Sequence, residues 1–415
     1  MKNILQKIRD IFSSHYAMER FGILFFSLTF CMAILLGTME IKRHKDNRKT
    51  LSEQVVYTTS VTTSLTSQTG SVQKILHNED RTKCFILLKF SDMSAMSTNA
   101  EYYQMFITGF SASQKPETLK TKPHGCIYVF GSTGYMGIYL TSAGGFAKQL
   151  MGITVRCNKT IVNTSSTGAS SIYMDTSFDS YDQFRIYLNP GGDNITTTKC
   201  FDNEKFDILE LYEEMIIQPR EQKIRNQLSV DLQNMKNTQD KTEEYKERLT
   251  REGVIQYTEP EQIAGDTIVQ CEDGRYVLNT DTVLPNGINY DWYNGSVETG
   301  YLDTICGGYI SYEDLLDQLR NEEDNTSFST NTIWYLSNGA AFDGTNSLNT
   351  DMDEVTREEL SSSTNLLANT WTQFYQAKKQ YQCEDLVSLL ELEVDSKEAK
   401  THYTINTSEY VLQIY

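Results

Sequence analysis

Residues 21–39 (FGILFFSLTFCMAILLGTM) run for nineteen positions without a charge, between Arg20 and Glu40. At ~1.5 Å per residue, a helix of that length covers ~28 Å, about the hydrocarbon core of a bilayer. A single transmembrane helix is expected. A cleaved signal peptide fits less well, because its apolar core is only ~7–15 residues long. Gly37-Thr38-Met39-Glu40 also lacks the small-x-small cleavage pattern. Ahead of the span, residues 1–20 place Ile4, Leu5, Ile8, Ile11, Phe12 and Tyr16 on one stripe. That pattern predicts a short amphipathic basic helix at the membrane surface. Residues 40–53 are charged and polar, a juxtamembrane stalk.

From 54 to 200 the hydrophobic period changes to two. Val55, Tyr57, Thr59, Val61, Thr63 and Leu65 share one face of an extended run. Strands are predicted at 71–77 and 83–90, joined by the polar turn Asn78-Glu79-Asp80-Arg81. Others are predicted at 105–109, 126–130, 137–141, 151–162 and 184–188, the last ended by Asn189-Pro190-Gly191-Gly192-Asp193. Many short strands with frequent turns predict a β-rich domain of sandwich or jelly-roll type over 54–200.

Residues 201–252 hold the clearest helical stretch, at 219–252, with Pro219 suited to a first turn. Leu228, Leu232, Met235 and Leu249 follow a 4-3 register, but Gln239, Thr242 and Lys246 interrupt the seam. Polar seam residues weaken a coiled coil, so a helix packed on one side against its own chain is expected. Residues 253–415 read as a mixed α+β domain. Its strands are expected at 267–270, 276–278, 333–336 and 409–415, with a turn at Pro285-Asn286-Gly287. Ser311 to Asp314 forms a capping box for a helix through about 320. Leu360, Leu367, Trp371, Phe374 and Tyr381 stripe a helix over 356–381, followed by a short one over 383–392. The fold class expected is α+β behind one N-terminal transmembrane helix.

Charge divides along the chain. Residues 1–50 carry a balance of +5, so the remainder of this −18 chain carries −23. So acidic a body argues against nucleic-acid binding, which draws its affinity from clustered cations. Anionic lipid repels it and attracts the basic collar. Lys2, Lys7, Arg9 and Arg20 precede the span; Lys42, Arg43, Lys45, Arg48 and Lys49 follow it. With cations so nearly balanced, the positive-inside rule favours neither orientation. The Ser-, Thr-, Asn-, Tyr- and Gly-rich composition favours an extracytoplasmic body. So do Asn-x-Ser/Thr triplets at Asn158, Asn163, Asn194, Asn294, Asn325 and Asn406, in a host that glycosylates them. Of eight cysteines, Cys31 lies in the span, and Cys84, Cys126 and Cys157 sit in strand-like runs as expected buried thiols. No zinc spacing is present.

Two motifs bear on chemistry. The strand 127–130 is followed by Gly131, Gly134 and Gly137. This G-x-x-G-x-x-G run resembles the nucleotide-binding turn of the short-chain dehydrogenase family. There, glycines let the backbone approach a pyrophosphate at a helix N-terminus. The resemblance implies a 2′-phosphate contact at Arg156 and a catalytic pair at Tyr375 and Lys379. A Gly-rich hairpin explains the same glycines. Residues 138–145 favour the hairpin, since β-formers and two consecutive glycines stand where the family opens a helix. The second motif is Asp343, Asp351, Asp353 and Glu354, spaced like calcium-loop ligands. Leu348 stands at the required glycine, so the dipole of a following helix is the competing explanation. His124 and Cys126 lie two apart on a strand, with no third member of a triad identifiable.

With no cofactor and no catalytic residue expected, the chain reads as a single-pass, non-enzymatic extracytoplasmic protein. It would be a surface adhesin or a subunit of an envelope secretion or conjugation assembly, with membrane lipid around 21–39. Its other partners would be envelope or surface proteins or glycans. The alternative is a membrane-tethered enzyme, nucleotide-dependent through Gly131–Gly137 or a glycan hydrolase.

Overall fold

The computed structural model describes residues 17–160, 181–202, 206–280, 292–306 and 332–415, with Gln6 and Arg9. The chain divides into two compact units, Met1–Phe206 with His402–Tyr415, and Asp207–Thr401. The second unit is thus an insertion in the sequence of the first.

Helix α1 (Ala17–Glu53) opens the first unit. Its apolar window is 0% buried, and the helix is long and apolar enough to cross a membrane. An anchor and a signal sequence share that composition. The helix continues through the charged stalk and ends against the sheets, where Asn194 Nδ2 donates to Glu53 O at 2.9 Å.

Strands β1 (Ser60–Thr62), β2 (Thr69–His77), β3 (Lys83–Phe90), β4 (Tyr103–Phe110), β5 (Pro116–Glu117), β6 (His124–Phe130), β7 (Tyr135–Thr141), β8 (Leu150–Thr160), β9 (Tyr181–Leu188) and β10 (Thr196–Thr197) follow. One sheet has the order β1-β2-β3-β7-β6 with β10 beside β2; the other runs β4-β8-β9 with β5 beside β4. Pairing is mostly antiparallel. Alternate residues of both sheets meet in one buried cluster, including Ile86, Leu88, Met105, Ile107, Ile127, Met136, Ile153, Phe184 and Ile186. Period-two patterning makes this core, since successive side chains point to opposite faces. β3 is buried at every position from Cys84 to Leu88, as expected of a central strand.

The second unit holds α2 (Ile208–Tyr212), a π-helical turn (Glu213–Ile217), α3 (Gln218–Arg251), β11 (Val254–Gln256), β12 (Thr267–Gln270), β13 (Tyr276–Asn279) and α4 (Tyr301–Cys306). It continues with β14 (Trp334–Leu336), β15 (Ala341–Phe342), α5 (Glu354–Lys379), a second π-helical turn (Gln380–Asp385) and α6 (Leu386–His402). α3 packs along α5 of its own chain. The polar seam residues are employed there: Thr242 Oγ1 donates to Thr370 Oγ1 at 3.0 Å, and Gln239 accepts from Ile268 N at 2.6 Å. Beneath α5, Lys378 and Asp266 form a wholly buried ion pair at 2.6 Å. Gln262 O and Thr280 Oγ1 also accept from Lys378 Nζ, at 3.0 and 3.2 Å.

After α6 the chain returns to the first unit. β16 (Tyr403–Asn406) pairs antiparallel with β6, and β17 (Leu412–Ile414) pairs parallel with β4. The last residues therefore supply an edge strand to each sheet. The helix expected over 311–320, the turn at 285–287, the surface helix of 1–20 before Ala17 and the triplets at Asn163 and Asn325 fall outside the described residues, apart from Gln6 and Arg9.

Candidate functional site

The glycine run forms a hairpin. β6 and β7 are antiparallel neighbours, and Gly131 and Gly134 occupy the turn with φ of 56° and 83°. A Cβ at Gly134 would lie 2.6 Å from Phe90 O. Gly137 lies inside β7, where a Cβ would meet the Phe85 ring at 2.6 Å. Each glycine therefore answers to a turn or a ring. The strand-to-helix turn needed to seat a pyrophosphate is not formed, because β7 follows where the helix would start. Arg156 stacks on Phe106 and Tyr181 in the other sheet. Tyr375 is buried in α5, beside half-buried Lys379, in the other unit.

The acidic loop is also engaged locally. Asp343 accepts from Thr345 N, Thr345 Oγ1 and Asn346 N at 2.7–2.9 Å. Those bonds, the Asn346 N–H first, hold its carboxyl down at about 2. Asp353 caps α5, accepting from Thr356 N at 2.9 Å and Thr356 Oγ1 at 2.7 Å. Asp351 and Glu354 are exposed. Among the described residues, no group of three His, Cys, Asp or Glu side chains is placed to hold a metal ion. On β6, His124 is exposed, while burial pushes the Cys126 thiol up, with a side-chain bond from Tyr128 acting the other way.

A cavity of about 260 Å³ in the first unit is the strongest candidate binding site. Its floor is Tyr103, Val155 and Phe184 from β4, β8 and β9, and its wall is the loop of Ser94 to Ser97. That loop is shaped by its own polar groups. Asp92 accepts from Ser94 N at 2.7 Å, and Tyr103 OH donates to Ser97 O at 2.9 Å. At the rim, Asp182 accepts from Leu65 N at 2.8 Å, Thr66 N at 3.3 Å and Thr66 Oγ1 at 2.6 Å. Its charge is thus committed to holding the 65–66 turn.

Cys157 and Lys159 complete the rim from β8. Burial raises the Cys157 thiol, the Lys159 N–H acts the other way, and the charges of Asp182 and Lys159 oppose each other. A protonated thiol is a poor nucleophile. Lys159 Nζ lies 4.2 Å from the Tyr102 ring centroid. An apolar floor under a rim of hydroxyls, a thiol, one cation and the engaged Asp182 carboxylate suits an amphipathic group the size of a large side chain. Sequence reasoning missed Asp182. The readable signal was its phase, an acid on the same strand face as Phe184, Ile186 and Leu188.

The described asparagines of the Asn-x-Ser/Thr triplets differ in exposure. Asn158, Asn194 and Asn294 are exposed, whereas Asn406 is buried and donates to Tyr103 O at 3.1 Å. No family model, no curated protein and no solved structure matches this chain.

Proposed function

We propose that this chain is a single-pass, membrane-anchored interaction protein without enzymatic activity, its β-rich body held outside the cytoplasm. A surface adhesin and a subunit of an envelope secretion or conjugation assembly both fit that description. The observation that carries the reading is α1: its apolar window has no burial within the protein, and the same helix runs unbroken into the body. Exposed Phe21, Phe26, Leu28 and Phe30 need an apolar surrounding that the body does not supply. We read the two sheets around one cluster as a sandwich, with the 260 Å³ cavity as its recognition pocket. A partner's aromatic or aliphatic side chain would fill that floor as an anchor, the way buried anchors organise interfaces.

Protease added to intact cells tests the orientation. The reading expects loss of the body, leaving a membrane fragment that ends within the stalk. Survival of the body until the membrane is breached would place it in the cytoplasm, and the adhesin reading would be abandoned.

A further inference from the structure

The stalk half of α1 carries more than a spacer. Lys42, Lys45 and Lys49 stand at i, i+3 and i+7, so they share one face of the helix, and all three are exposed. Along a helix axis they lie ~4.5, ~9 and ~15 Å beyond Met39, through the depth of lipid headgroups and just past it. Three acids sit nearby: Glu40 pairs with Arg43 at 3.6 Å, Glu53 pairs with Lys49 at 3.9 Å, and exposed Asp46 stands one turn after Lys42 on the same face. Both pairs are solvent-exposed and cancel little of the field. The rest of the chain is strongly acidic, so the excess of cations is concentrated in the collar around the span.

We infer that Lys42, Lys45 and Lys49 form a binding stripe for anionic phospholipid headgroups, which fixes how α1 leaves the membrane. The inference rests on the anchor reading above and requires anionic lipid in the leaflet on the body's side of the span. The occupant is set by charge complementarity and by continuity with the span, since the stripe begins where the apolar face ends. Repulsion of the acidic body from the same surface acts in the opposite sense, so the stalk is held at its base and the body is kept away.

The test uses the full-length chain in vesicles of phosphatidylcholine alone and with about 30% phosphatidylglycerol, the kind of surface that attracts ~1 kcal/mol per cation. Flotation with the neutral vesicles checks the anchor separately. Lysine acetylation rates are then read by mass spectrometry. The inference predicts slowing by about fivefold at Lys42 in the anionic vesicles, less at Lys45 and least at Lys49, following the screening length. Lys115 and Lys122 in the body should not change, and concentrated salt should abolish the gradient. Equal rates in both lipids, with the chain still floating, overturn the stripe and leave the anchor standing. Equal protection by soluble polyphosphate over neutral vesicles overturns the headgroup assignment. Failure to float with neutral vesicles removes the anchor and the stripe together.

Discussion

At the scale of single residues, the glycines of the first unit show how packing chooses sequence. Gly137 is small because the Phe85 ring lies across it, and Gly70 and Gly152 receive the Phe90 and Phe110 rings in the same way. Gly137→Ala should destabilise the first unit by about 1–3 kcal/mol, the usual range for overpacking. Chemical denaturation would measure it, and adding Phe85→Leu should recover part of the loss. Equal stability of G137A and the parent would mean the ring is not seated there.

Asp231 gives a second residue-scale prediction. It is only 6% exposed on α3, bonded by Gln227 at 2.9 Å and facing Asp385 at the end of the second π-helical turn. Burial first, then the bond and charge of Asp385, raise its carboxyl to about 6. A raised carboxyl binds its proton more tightly in the folded state. Its contribution is therefore fully present below the unfolded value near 4 and is lost as pH rises through about 6. The second unit should gain stability on the order of 1 kcal/mol between pH 7 and pH 5. Asp231→Asn should flatten that slope; an unchanged slope would show that the pair is not coupled.

At the scale of elements, local patterning was legible and pairing was not. β3, β12 and the hairpin at Asn78–Arg81 follow from short apolar runs bounded by turn chemistry, as α3 and α5 follow from their stripes. The same polar seam that argued against a coiled coil proved to bond to Thr370 and to β12. What periodicity cannot carry is long-range partnership. The final strand was visible as a strand, yet nothing in its sequence says that it pairs in parallel with β4, some three hundred residues earlier. The cavity was hidden for the same reason: its floor joins three strands, and only the phase of Asp182 hinted at it.

Two predictions belong to this scale. Truncation after Thr401 removes β16 and β17 and should unfold the first unit, read as lost cooperative melting of its tryptophan-free sheets by circular dichroism. A chain ending there that melts unchanged would show the edge strands to be dispensable. Lys378→Ala removes the cation from the wholly buried Asp266 carboxylate and should cost about 3–5 kcal/mol.

At the scale of the whole molecule, the chain is one exposed apolar helix joined to a two-unit acidic body, the second unit inserted within the first. The helix was legible because a nineteen-residue uncharged run has few other uses. The boundary near Phe206 shows as the change from strand to helix patterning, but the return of the chain at His402 does not, because nothing in residues 402–415 names β6 and β4 as their partners. Anchoring by α1 is checked by the intact mass of the chain recovered from membranes washed with alkaline carbonate. The chain should stay in the membrane with the apolar run 21–39 still attached. Release into the wash, or a mature chain that begins after Met39, would contradict the anchor and return the helix to the role of a signal sequence.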